Sequence, residues 1–157
     1  MNAKVLITLS ALFIFGLVNM QIVQKEDLRR NGQAIFLELA PVDPRSLMQG
    51  DYMALDFAIS RSIAENLPKS GRPVKQVVLK LNTQRRASFS RFDTSAQPAT
   101  NEILLNFTLR NGRPWLGTNA FFFEEGSASR YEGARFGEFR VNSMGDAILV
   151  NLYKTLP

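Results

Sequence analysis

Ser46 stands beside a turn, between Pro44 and the pair Gly50-Asp51, in PVDPRSLMQGDYMALDF (residues 41–57), a setting that invites a nucleophilic reading. A serine hydroxyl becomes reactive only with a base within hydrogen-bond reach. The chain has no His and no Cys, so that base would be Lys75 or Lys80, reached from a strand and desolvated enough to lower its pKa. Nothing in the spacing requires the two to meet. The same absences remove His-assisted serine and cysteine nucleophiles, zinc sites built from His and Cys, and every disulfide. A cysteine-free chain suits the cytoplasm and the periplasm equally, so no compartment is read from it.

Other charged groups fare similarly. Glu124 and Glu125 are adjacent, and in a strand they would point to opposite faces, which rules out a facing acid and base pair. Glu132 and Glu138 flank GARFG and are expected to pair with Arg135 or Arg140. Asp43, Asp51 and Asp56 are hard oxygen ligands without a recognised loop spacing, so no metal site is expected. The glycines of YEGARFGEFR lead into a strand pattern, whereas an anion-cradling loop leads into a helix. No cofactor and no catalytic residue are expected, and the chain reads as a non-enzyme.

One basic cluster, Arg85, Arg86 and Arg91 in TQRRASFSR, has two readings: a site for anionic lipid, glycan or an acidic partner, or a charged strand edge that resists aggregation. With the charges up to Arg30 set aside, the formal net charge of +5 falls to about +3 for residues 31–157, so no nucleic-acid surface is implied.

The elements that must position these residues begin with a membrane signal. Val5 to Val23 carries no charge over nineteen residues, about the length of a helix that crosses a hydrocarbon core. A secretory signal would be shorter and would end in small residues, and LVNMQIVQKED places large ones there. Residues 1–30 are therefore expected to be an uncleaved anchor with its flank, and residues 31–157 one β-rich domain. Lys4 precedes the span and Lys25, Arg29 and Arg30 follow it, a distribution that does not orient the helix by itself.

Beyond the anchor, period two dominates. Met53, Leu55, Phe57 and Ile59 alternate as one face of a strand, as do Val77, Leu79 and Leu81, and Ile103, Leu105, Phe107 and Leu109. Asn111-Gly112 supplies the two positive φ angles of a primed turn, which predicts a hairpin over 103–123. Pro114 just after it points to a position off any central ladder. RFGEFRV and AILVNLY bracket the turn NSMGD with Gly145, while SRSIAENLPKS (60–70) reads as a short helix or a loop closed by Pro68. About six to eight antiparallel strands predict a mainly β fold, a sandwich or small barrel behind a single transmembrane helix. Phe121, Phe122 and Phe123 cannot all face one core, so at least one should meet a second layer, the membrane or a partner.

The stretch at 41–57 is explained as a turn. Pro44 fixes its own φ and pushes Asp43 into an extended conformation, Gly50 lets the backbone reverse, and Asp51 can accept nearby N–H groups as the strand starts at Tyr52. GDYMALDF (50–57) resembles the motif of a family of bacterial membrane-anchored proteins named for GDYxxLxY, with Phe57 in place of the last Tyr. The proline-rich lead-in and the closing EGARFGEFRVNSMGDAILVNL are also similar to that family, so the resemblance covers nearly the whole chain. Its motif positions here are Pro41, Asp43, Pro44, Arg45, Gly50, Asp51, Tyr52, Leu55 and Phe57. What it implies is a single-pass protein of the bacterial inner membrane with its domain outside the cytoplasm, associated with multi-pass membrane proteins. It supplies no catalytic residue. The turn is similar, too, to that of bacterial signal peptidases, which use a Ser-Lys pair, but their nucleophile precedes the proline by two residues, where this chain has Val42.

Overall fold

A run of apolar side chains with no proline and only one glycine has little reason to leave the helical conformation. In the computed structural model, which describes residues 3–40, 48–49, 52–68, 74–92 and 97–157, that run forms a single helix, α1 (Ala3–Asn31). Among the described residues eleven short strands and two further helices follow: β1 (Gln33–Glu38), β2 (Met48–Gln49), β3 (Tyr52–Ala54), α2 (Ala58–Glu65), β4 (Gln76–Leu81), β5 (Ala87–Arg91), β6 (Glu102–Asn106), β7 (Thr108–Arg110), β8 (Arg113–Trp115), β9 (Ala120–Phe122), α3 (Ala128–Tyr131), β10 (Phe136–Val141) and β11 (Ala147–Tyr153).

The strands pair antiparallel in small sheets, ordered β1-β10-β11, β2-β3-β9, β5-β4-β6 and the ribbon β7-β8. The antiparallel expectation is met, but the small barrel is not: among the described residues no sheet closes on itself. Strand only slightly exceeds helix, so the chain is mixed where it was expected to be mainly β. The sheets are stitched at single points, with Phe36 bridging Arg86 and Leu39 bridging Phe57. They share one core, which includes Ile35 and Leu37 of β1, Val77 and Leu79 of β4, Ile103 and Leu105 of β6, and Phe139 of β10.

Three expectations about local structure are corrected. The strand pattern through Ile59 gives way at Phe57, because Ile59 and Ile63, four apart, both bury when the chain turns helical in α2. That helix ends at Asn66, and Pro68 could not have continued it. Leu109 does not share the face of Ile103, Leu105 and Phe107: the ladder breaks at Phe107, and Leu109 is 48% exposed. The hairpin spans only 108–115, with Asn111 at φ 50 and Gly112 at φ 75, while its expected outer arms diverge, β6 to β4 and β9 to β3. The divergence follows Gly117 at φ 93 and Thr118, whose hydroxyl donates to the carbonyl of Ala120 and accepts from its N–H. Pro114 lies on the two-stranded ribbon, away from the three-stranded ladders. The pair flanking NSMGD forms as expected, with Gly145 at φ 87.

Candidate functional site: the motif core and the helix junction

Each motif residue in the described part has a structural task. Tyr52 pairs in register with Phe122, their rings 5.6 Å apart. Leu55 is buried and donates its N–H to the carbonyl of Asn119 at 2.7 Å. Phe57, 3% exposed, packs edge-on against Phe139 at 5.2 Å between centroids. Its ring also lies over Gly137, where an added Cβ would come within 3.2 Å of Phe57 Cε1 and 3.0 Å of Leu149 Cδ1. Gly137 is therefore the reason Phe57 can sit where it does, and the two ends of the domain meet at this contact. Asp56 accepts the N–H of Phe57 on its own carboxylate and offers its carbonyl to Ala40. Pro41, Asp43, Pro44, Arg45, Ser46, Gly50 and Asp51 lie outside the described residues.

The second site is the meeting of α1 with the sheet. Helix and strand are separated by Gly32 alone. Its N–H donates to Leu28 O at 2.9 Å, and Arg140 Nη1 reaches its carbonyl at 3.4 Å. A Cβ here would lie 2.5 Å from Leu28 O and 3.0 Å from both Arg140 Cβ and Val141 N, so only glycine fits. Leu28 is buried against the domain. The exposed face of the same turns is held by Glu26, which accepts from Arg29 at 2.7 Å and Arg30 at 2.5 Å. The signal that would have found both glycines is in the sequence: a glycine at an element boundary or inside a strand marks a close backbone approach.

The electrostatic clusters resolve in part into pairs; among the described residues Glu132, Arg135 and Arg85 join no ion pair. Glu138, 7% exposed, is held by Arg140 at 2.9 Å and by the hydroxyl of Tyr153 at 3.0 Å, the pairing expected for that acid. Arg86 pairs with Glu38 and Arg91 with Glu102. The Arg91 guanidinium, with the N–H of Ala99, holds the Glu102 carboxyl below its ordinary 4.5. Arg91 closes the edge strand β5, while Arg85 sits in the preceding turn at φ 59 with its carbonyl bound by Phe36 N–H at 3.0 Å. An anion bound by both Arg86 and Arg91 would have to displace Glu38 and Glu102. Lys75 and Lys80 are both exposed, and neither has the desolvation a lysine base requires. Glu124 and Glu125 lie past the end of β9, outside any strand, and are exposed. Among the described residues no three acidic side chains converge on a metal-sized space.

The phenylalanine run divides as its crowding demanded. Phe121 and Phe123 bracket Tyr131 at 5.0 and 5.5 Å, supplying a second layer, while Phe122 turns outward, 75% exposed.

No curated protein and no solved structure matches this chain. A family model described as GDYXXLXY protein does match it over residues 14–152, from the middle of α1 to the next-to-last residue of β11, and takes in both ends of the Phe57–Gly137 contact and the Gly32 junction: the chain belongs to the GDYXXLXY protein family.

Proposed function

We propose that this is a single-pass protein of the bacterial inner membrane whose domain, on the periplasmic side, acts as a non-catalytic accessory or interaction subunit for a multi-pass membrane protein. One observation carries the reading. The apolar side chains from Val5 to Val23 are exposed, and the same helix runs unbroken to Leu28, which is buried in the domain. Apolar surface of that extent needs an apolar cover, and nineteen residues at about 1.5 Å each match a hydrocarbon core of about 30 Å. A junction held by Gly32 at both its N–H and its carbonyl suits a lasting anchor, because the domain is built onto the last turns of the helix.

The non-catalytic part is supported by what the charged groups do. Glu38, Glu102 and Glu138 are each held by an arginine, which is how a scaffold uses carboxylates. The periplasmic side is what the motif's resemblance implies.

Crosslinking in native membranes followed by mass spectrometry tests the proposal directly. An integral membrane protein is expected as the recurrent neighbour of the domain, and recovery of soluble proteins alone would overturn it. A reporter fused after Pro157 should be active only in its periplasmic form.

A further inference from the structure

The apolar part of α1 does not present one uniform surface to its surroundings. Thr8 and Ser10 return their hydroxyl protons to the carbonyls of Lys4 and Leu6 at 3.0 and 2.9 Å. Asn19 donates from Nδ2 to the carbonyl of Phe15 at 2.8 Å, but its Oδ1 and its second N–H meet no partner among the described residues. The side chain is exposed. In hydrocarbon no water is present to take up those groups, so they are left unsatisfied. Gln21 differs: it lies two residues from Val23, the end of the uncharged run, and its longer stem reaches the interface.

We propose that α1 pairs in the membrane with α1 of a second copy of this chain, through a seam of Leu12, Phe15, Asn19 and Ile22. This rests on the anchor reading above. Steps of three and four residues put these side chains on one helix face. Gly16, at the side of that face, carries no side chain to hold a second backbone away.

The occupant follows from the carboxamide. Across a two-fold axis each Asn19 donates its spare N–H to the other's Oδ1, so one group satisfies both of its own unmet needs. A different partner would have to bring a polar group to the same depth. A second copy does so automatically, because Lys4 on one side and Lys25, Arg29 and Arg30 on the other set the depth of both helices alike, and both insert in the same direction. The domain leaves the seam open. Leu28, buried in the domain, is nine residues beyond Asn19, which at about 3.6 residues per turn is half a turn round the axis.

The absence of cysteine makes the test clean, since one introduced cysteine is the only thiol. Full-length Leu12→Cys and Ile22→Cys, and the off-seam variants Ile14→Cys and Leu17→Cys, are oxidised in native membranes after a carbonate wash. Dimer disulfides are expected at Leu12→Cys and Ile22→Cys and not at the other two. Adding Asn19→Val should cut their yield roughly 3- to 10-fold. Equal yields all round, indifference to Asn19→Val, or seam crosslinks only to a protein of another mass would overturn the pairing while leaving the anchor intact. Release of the chain by carbonate would overturn both.

Discussion

At the residue scale the described motif residues Leu55 and Phe57 are packed into the core. Phe57 fills the space above Gly137 and meets Phe139 edge-on, and all three are buried. Phe57→Ala removes a ring from a core that can close only partly around the gap, so it should cost about 3–5 kcal/mol. Gly137→Ala pushes from the opposite side, forcing Phe57 and Leu149 to give by a few tenths of an ångström, and should cost about 1–3 kcal/mol. Urea unfolding of the full chain in detergent micelles, followed by the single Trp115, measures both. The two changes share one contact, so the double variant should fall short of the sum of the single losses, and strict additivity would mean that they do not touch. The sequence made Phe57 legible as an inward residue through its alternation with Met53 and Leu55. It did not make Gly137 legible as its counterpart, because period two says which face a side chain takes and nothing of which distant glycine lies beneath it.

At the element scale the joints are more informative than the strands. The turn after β10 is a clasp: Asn142 Oδ1 accepts the N–H groups of Met144 and Asp146, and Asp146 holds Asn142 at 3.1 Å and Asn106 of β6 at 2.9 Å through its two carboxylate oxygens. Asn106 N–H also reaches Gly145 O at 2.8 Å, so a β-hairpin turn is tied to a strand of another sheet. Hydrogen bonds to a charged acceptor of this kind contribute about 1.5–3 kcal/mol, and Asp146→Ala should lose about that much in the same unfolding measurement. The junction is the other joint. Gly32→Ala places a methyl 2.5 Å from a backbone oxygen, which no rotamer change relieves, so Leu28 must leave its pocket or the first residues of β1 must shift. Trypsin should then cut after Arg29 and Arg30 roughly tenfold faster than in the parent chain, the equivalent of about 1.4 kcal/mol of local opening. An unchanged rate would mean that the helix and the domain are not coupled there. The helix, the tight turns at Asn111-Gly112 and NSMGD, and most strands could be read in advance, because each is set by neighbours in sequence. The partition into small sheets could not: β3 finds β9 and β4 finds β6 through buried side chains brought together only by the folded core.

At the scale of the whole molecule, ion pairs among the described residues hold distant segments together. Glu102 shows it best. Its Oε1 takes Arg91 at the end of β5, and its Oε2 takes the N–H of Ala99 at 3.1 Å, so one carboxylate joins both edge strands of the β5-β4-β6 sheet to the loop before β6. The same contacts lower its pKa from 4.5, the Arg91 guanidinium contributing most. Well above pH 4.5 the carboxyl is ionised in both the folded and the unfolded chain, and the full contribution is present. As the pH falls below 4.5 the unfolded chain takes up the proton first, which favours unfolding, and the contribution disappears as the pH passes the lowered value of the folded state. Glu102→Gln should therefore be less stable than the parent at neutral pH, with the gap narrowing as the pH is taken from about 5 towards 3. Parallel acid titrations of unfolding in micelles would show it. A gap that stayed constant through that range would mean that Glu102 acts through its shape alone, and that the ion pairs of this sheet are passengers on a fold held by its apolar core.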